Sequence, residues 1–187
     1  MIFSDEGALI ATINVSDAAV TDLLDFRSSD STHQLAIATA DGAVTVWSTT
    51  STSKNFKRQH QLQPPGPSTA NCVAIMPGNR ILVAGFTCGH VKVYSLERME
   101  IFANIAAHAR PVSTLSASKT RPLLVSGGED SVVNIWNIAE DDITLSFSEK
   151  LEHTLVVGSS FFGEGDSSIA LSAFDYDGIF VWPLPNS

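Results

Sequence analysis

The chain has 187 residues, of which 44% are hydrophobic, and its 11 Lys and Arg against 20 Asp and Glu give a net charge of -9. This apolar fraction is typical of a folded domain and excludes an intrinsically disordered chain, while the acidic excess argues against nucleic-acid binding. No apolar run is long enough for a membrane span and the first residues lack a signal-peptide layout, so we expect a cytoplasmic protein without a membrane span.

The predicted elements begin with one isolated strand at residues 8–14 and continue as four repeats of one layout. Each repeat has an apolar run, a short polar or glycine-containing turn, and an alternating strand that ends on an aromatic residue. The closing aromatic residues lie 42 to 47 residues apart, at Trp47, Tyr94, Trp136 and Trp182. Alternation with period two is typical of half-buried β-strands.

A β-hairpin is predicted at the centre of every repeat, because turn-forming residues separate two β-prone runs. These turns are Asp41-Gly42, Cys88-Gly89, Asp130-Ser131 and Asp177-Gly178. A further strand precedes each hairpin and another follows three of them, which predicts an all-β fold of about four blades, each a four-stranded antiparallel meander, in a single partial domain over residues 1–187. The predicted blades cover approximately residues 15–62, 69–106, 108–150 and 153–187, with residues 8–14 an orphan outer strand.

Repeats of this length with four strands and a Trp-type ending resemble the WD-repeat β-propeller family. In that family a His, a Ser or Thr, an Asp and a Trp of one blade form a hydrogen-bonded relay. The third repeat carries this set as His108, Ser126, Asp130 and Trp136. The resemblance implies that these residues are structural, although three of them have the residue types of a catalytic triad.

The other repeats depart from the relay pattern. The first has Ser16 in place of the His, and the second has Ala84 and Tyr94, so both are predicted to lack the full relay. The fourth is predicted to retain a partial version, made of His153, Ser172, Trp182 and either Asp175 or Asp177.

Residues 104–110, 124–130 and 135–136 are also similar to the C-terminal half of the family of WD repeat-containing protein 54. Residues 1–4 would then be the tail of a third strand, and residues 9–14 the fourth strand of an earlier blade. Four blades are fewer than the roughly seven that the WD-repeat resemblance implies. We expect a portion of a longer propeller first, two copies closing an eight-bladed ring second, and a four-bladed ring completed by the orphan strand third.

A non-enzymatic protein-interaction scaffold is the function that the resemblance implies, with other proteins as partners and a possible homo-oligomer through the terminal blades. Loops and hairpin turns at one edge of the blades would form the binding surface. The candidate contact residues there are Phe86, His90, Arg110, Glu129 and Tyr176.

A phosphopeptide or ubiquitin reader is the alternative, with a basic site around Lys57, Arg58 or Arg110. A hydrolase-type enzyme is the least favoured function. Residues 158–162 lack the closing Gly of a nucleophile elbow, and residues 163–168 are interpreted as a plain strand connection. Two cysteines and five histidines spread over different repeats predict no metal site, no cofactor and no catalytic residues.

Overall fold

A computed structural model describes residues 2–3, 6–7, 9–28, 32–49, 55–139, 142–152, 155–173 and 179–184. These residues form β-strands and one short 3-10 helix, Glu164–Asp166, which confirms the predicted all-β class. None of the helical structure in this described part is long and apolar enough to cross a membrane.

The described ranges contain seventeen strands. They are β1 (Ile2–Phe3), β2 (Leu9–Ala11), β3 (Val20–Arg27), β4 (His33–Thr39), β5 (Val44–Thr49), β6 (Lys57–Gln63), β7 (Ala70–Ile75), β8 (Ile81–Phe86), β9 (His90–Ser95), β10 (Glu100–Ala106), β11 (Val112–Ala117), β12 (Leu123–Gly128), β13 (Val132–Ile138), β14 (Ile143–Lys150), β15 (Val156–Phe162), β16 (Ser168–Ala173) and β17 (Ile179–Pro183).

Sequential strands pair antiparallel to form four main sheets, here called blades 1 to 4. Blades 1, 2 and 3 have four strands each, β3–β6, β7–β10 and β11–β14, and the described residues of blade 4 form three, β15–β17. The first strand of each later blade packs against the first two strands of the blade before it. The blades therefore follow one another face to face in chain order.

The central hairpins of blades 1 to 3 turn at the predicted residues. Gly42, Gly89 and Ser131 adopt positive φ values of 87°, 82° and 66°, a conformation that tight hairpin turns require and that glycine adopts most easily. The fourth predicted turn, at Asp177-Gly178, lies outside the described residues.

Apolar side chains fill the spaces between neighbouring blades. Between blades 1 and 2 the buried cluster includes Val46, Leu82 and Phe86, and similar clusters lie between blades 2 and 3 and between blades 3 and 4. Phe86 is only 2% exposed, so its assignment to a binding surface was wrong. It ends strand β8 with its ring directed into the core rather than towards the adjoining turn.

A bulged residue lies near the start of the first strand of every blade, and in blades 1, 2 and 3 its side chain bonds to the next blade. The bulge breaks the pairing register between the first and third residues of the strand and leaves the second residue unpaired. The side chains of these second residues donate to the main-chain carbonyl group of the first residue of the following blade. The pairs are Thr21 to Ala70, Asn71 to Val112 and Ser113 to Val156. In blade 4 the equivalent residue is the exposed Val157.

The orphan strand does not complete blade 4. Strand β2 pairs instead with β1, with Phe3 opposite Leu9 and Ile2 opposite Ala11, in a separate two-stranded sheet. The closure of a four-bladed ring by this strand is therefore not what the structure shows. A short β1 ahead of β2 matches the alternative prediction of a third-strand tail followed by a fourth strand.

Candidate functional site

The structure joins the four predicted relay residues of blade 3 by hydrogen bonds in the predicted order. Trp136 Nε1 donates to Ser126 Oγ at 2.9 Å, and Ser126 Oγ lies 2.8 Å from His108 Nε2. At the other side of the imidazole, His108 Nδ1 lies 3.1 Å from Asp130 Oδ1. The relay thus runs from the third strand of the blade to the loop that enters its first strand.

Hydrogen positions in this relay follow from the groups that can only donate or only accept. An indole N–H only donates and a carboxylate only accepts, so His108 carries its proton on Nδ1 and accepts the Ser126 hydroxyl at Nε2. Ser126 is 0% exposed and its hydroxyl is engaged on both sides. A nucleophile must reach its substrate, and this buried serine is placed as a structural bridge instead.

The protein environment favours the neutral His108 and the ionised Asp130. Burial lowers the pKa of His108 below its usual 6.5, although Asp130 opposes this effect. Burial alone would raise the pKa of Asp130, but backbone N–H groups of Ala109 and Val132 and the His108 ring lower it on balance. Both shifts have consequences for stability in acid.

We expect the free energy of unfolding to fall as the pH decreases below about 6.5. The unfolded chain takes up a proton on His108 near pH 6.5, whereas the folded chain takes it up only at lower pH, so protons favour unfolding in that interval. One such proton contributes at most about 1.4 kcal/mol per pH unit. Protonation of Asp130 lowers the free energy of unfolding further below pH 3.8, because the pKa of this carboxyl is lower in the folded chain than in the unfolded chain. Urea titrations from pH 8 to pH 3 measure both.

His108→Gln is the test variant for the first interval. The slope of the free energy of unfolding against pH between 6.5 and 5 should be smaller in His108→Gln than in the wild type. Equal slopes in the two proteins would contradict the lowered pKa of His108.

Blades 1 and 2 lack the relay, as predicted. In blade 1, Trp47 Nε1 donates to Thr45 Oγ1 at 3.0 Å, and Ser16 bonds only within its own loop. In blade 2, the hydroxyl of Tyr94 is the one buried side-chain polar atom without a hydrogen-bond partner in the described part of the chain. Ala84, at the position of Ser126, offers it no oxygen.

The predicted partial relay of blade 4 was wrong in one residue. Trp182 pairs with Ile169 and Ser172 pairs with Ile179, so Ser172 and Trp182 lie on opposite faces of the sheet. The register equivalent of Ser126 is the buried Leu171. The other predicted members, His153, Asp175 and Asp177, lie outside the described residues.

Replacing Tyr94 with phenylalanine should stabilise the fold by about 1 kcal/mol, because it removes a buried hydroxyl that has lost its water without gaining a partner. Burial also raises the pKa of this phenol. Thermal unfolding of the variant should occur at a higher temperature than that of the wild type. A clear loss of stability would show that the hydroxyl is hydrogen-bonded after all.

The hairpin turns and the loops between blades form a continuous hydrogen-bonded rim. The loop 64–69 bonds the turns of both blades that it joins, through Gly66 N to Asp41 O at 2.8 Å and Thr87 N to Thr69 O at 3.0 Å. The loop 107–111 does the same through His108 N to Gly89 O at 3.0 Å and Glu129 N to Pro111 O at 2.9 Å. The backbone of this rim is therefore fixed across blades 1, 2 and 3.

Three of the five predicted contact residues meet on this rim at the junction of blades 2 and 3. Arg110 is exposed on the loop 107–111, and the turns on its two sides carry the partly exposed His90 and Glu129. His90 Nδ1 lies 2.9 Å from Asn104 Oδ1, which orients its ring. Tyr176 lies outside the described residues, and Phe86 is in the core.

Asp166 is an important residue that the sequence analysis missed. It belongs to the short helix of blade 4, and its Oδ2 accepts the Ser118 hydroxyl and the Lys119 N–H, both at 2.7 Å, together with two longer bonds from Thr120. These bonds lower the pKa of Asp166, the Ser118 hydrogen bond most of all. The loop 163–168, interpreted as a plain connection, thus fastens blade 4 to a turn of blade 3.

The basic residues proposed for a phosphate site lie apart. Lys57 and Arg58 are on β6, the outermost strand of blade 1, near the edge opposite the hairpin turn, whereas Arg110 is on the rim. Across the residues that the structure describes, no three His, Cys, Asp or Glu side chains are grouped as metal ligands.

Comparison with known proteins places the chain in a recognised group. The family model WDR54 matches residues 5–181. WD repeat domain 54 of Rattus norvegicus is 28% identical over 110 residues, which cover 56% of this chain and 33% of the relative. WD repeat-containing protein 91 of Danio rerio is 30% identical over 102 residues, 54% of this chain and 14% of the relative.

Solved structures show the same fold. The structure titled "Crystal structure of RRP9 WD40 repeats" aligns with a TM-score of 0.68 at 17% identity, over 91% of this chain and 52% of that one. The "Structure of U3-55K" aligns with the same TM-score and sequence identity, and the alignment covers 53% of that chain. The predicted WD-repeat propeller architecture is confirmed, and this chain spans about half of such a propeller.

Proposed function

The chain belongs to the WDR54 family of WD-repeat β-propeller proteins, and we propose that it serves as a non-enzymatic scaffold that binds other proteins through the rim of hairpin turns and inter-blade loops. Proteins with WD-repeat propellers are generally interaction scaffolds. The segment matched in these relatives covers a third of their length or less.

The hydrogen-bonded rim is the observation that carries this proposal. Binding costs less free energy when the contacting loops are already ordered. Here main-chain bonds join each loop to the turns beside it, and Asp130 fixes the loop that carries Arg110 by accepting the Ala109 N–H at 2.8 Å. The rim therefore presents side chains from separate repeats on one rigid support.

Arg110 is the central contact residue in this proposal. Its side chain is exposed, its main chain is held from both sides, and arginine is common among the residues that dominate protein interfaces. Glu129 on the neighbouring turn adds a charge of opposite sign, so a partner with both an acidic and a basic group would fit this junction. Among the described residues, no contact favours the phosphopeptide alternative over this one.

Affinity capture from cell extract with quantitative mass spectrometry tests the proposal. We expect at least one protein bound by the wild type to be lost with Arg110→Glu. The matched control is Arg98→Glu, since Arg98 is also an exposed arginine but lies on the opposite edge, between β9 and β10. A set of bound proteins that is the same for wild type and both variants would count against the rim.

A further inference from the structure

Blade 4 has a free strand edge and an uncovered apolar face. In the part of the chain that the structure describes, β17 pairs with β16 and with no strand on its other side. On the face turned away from blade 3, Phe162, Ile179 and Val181 are exposed by 44%, 66% and 56%. Apolar surface of this kind and an unpaired edge both favour association.

A cleft of about 350 Å³ lies beside this edge, at the place where blade 3 has its fourth strand and the described residues of blade 4 supply none. Its apolar lining comes from Leu123, Ile135 and Phe147 of blade 3 and from Trp182 and Leu184 of blade 4. The position therefore has the surface that a fourth strand would cover.

Blade 1, at the other end of the row of four blades, also has exposed apolar side chains. Val20 and Leu23, on the first strand of blade 1, are exposed by 52% and 56%. The neighbouring residue Leu24 packs against the apolar cluster between blades 1 and 2. Since successive side chains of a strand point to opposite faces of the sheet, Leu23 lies on the face turned away from blade 2. Blade 1 thus offers an apolar face for a preceding blade.

Residues 9–13 have the layout of a fourth strand. In blades 1, 2 and 3 the residue opposite the closing aromatic is Arg58, Ile101 or Leu145, and each precedes the first residue of the following blade by 11 or 12 residues. Leu9 precedes Val20 by the same interval of 11 residues.

The local irregularity of the strand matches too. In blades 1, 2 and 3 the residue after this position is bulged, so that pairing resumes one residue later. Strand β2 has its bulge at the same place, since Leu9 and Ala11 pair with adjacent residues of β1 and Ile10 is left between them.

We propose that residues 9–13 of a second copy of this chain add to the free edge of β17 and complete blade 4. By analogy with blade 2, Leu9 lies opposite Trp182, Ala11 opposite Val181 and Ile13 opposite Ile179. The five-residue edge of β17 replaces the two-residue β1 as the partner of β2.

The short link from residue 13 to β3 then brings blade 1 of the second copy against the uncovered face of blade 4. The same contact made reciprocally closes a two-fold ring of two chains. Within the described residues of one copy, β2 pairs with β1 and lies in a different sheet from β17, so the proposed contact is made between two copies.

Cysteine cross-linking between two differently substituted chains tests two points together: the pairing register of residues 9–13 on β17, and whether the two strands belong to different copies. In a Cys88→Ser background, which removes the exposed native thiol, one chain carries Ile13→Cys and the other Ile179→Cys. Directly opposed strand residues are within disulfide range. We expect the mixed chains to form a covalent species of twice the 20.0 kDa chain mass.

Light scattering on the unmodified chain gives the second readout, with a mass of twice 20.0 kDa expected. The double variant Ala11→Pro/Thr12→Pro should halve this mass. Successive N–H groups of a strand point to its two opposite edges, so one of these two residues donates to β17, and proline has no N–H to donate. Ala11→Val/Thr12→Val keeps both donors and should remain dimeric. The proposal is overturned if the wild type is monomeric or if the double proline variant is still a dimer. A single chain that carries both Ile13→Cys and Ile179→Cys gives a further check, and a disulfide formed within that one chain would also overturn the proposal.

Discussion

Replacing Ser126 with alanine is expected to lower the free energy of unfolding by about 2–6 kcal/mol. The serine hydroxyl is the only link between the indole of Trp136 and the imidazole of His108, at 2.9 and 2.8 Å. Its removal leaves one buried donor and one buried acceptor without a partner, at about 1–3 kcal/mol each. Chemical denaturation, followed by tryptophan fluorescence, measures the change.

Ser160→Ala serves as the control, because Ser160 is exposed and bonds only to the adjacent carbonyl of Phe161. Its effect should stay within about 0.5 kcal/mol. A double-mutant cycle with Trp136→Phe separates the hydrogen bond from the loss of volume, and a coupling energy near zero would disprove the link between Ser126 and Trp136.

Replacing Gly89 with alanine is expected to be about as damaging, with a loss of about 2–5 kcal/mol. Its φ of 82° costs a residue with a Cβ about 1–2 kcal/mol. The new Cβ would also overlap the carbonyl oxygen of His108, a main-chain atom held by the rim. Overpacking of this kind typically adds about 1–3 kcal/mol.

Gly78→Ala is a closely matched control. Gly78 has a φ of 83°, but a Cβ there would meet no atom within 4 Å. It should therefore show the backbone cost of about 1–2 kcal/mol alone. Equal losses at Gly78 and Gly89 would mean that the loop 107–111 moves away without cost, and that the rim is not rigid between blades 2 and 3.

Local chemistry made the strands, turns and relay predictable from the sequence. Asp41-Gly42 and Cys88-Gly89 have the residue types that positive φ values require, and the turns form there. The relay of blade 3 follows from residue types at spacings that the WD-repeat resemblance supplies. Each of these predictions depends on residues close in sequence or on a repeated pattern.

The errors arise where strand register or distant contacts decide the outcome. Ser172 was placed one residue away from the true equivalent of Ser126, and in a strand one residue changes the face. Phe86 looked like a turn residue, yet it is the last buried position of its strand. Asp166 bonds Ser118 across 48 residues, a contact that no local pattern indicates.

The bulge bonds between successive blades suggest how such a chain gains or loses blades during evolution. Threonine, asparagine and serine perform the same task at Thr21, Asn71 and Ser113, and in each case the acceptor is a main-chain carbonyl that every residue possesses. A duplicated blade can therefore reproduce this one bond with any of three short polar side chains. The acceptor needs no matching substitution, because it is a main-chain group.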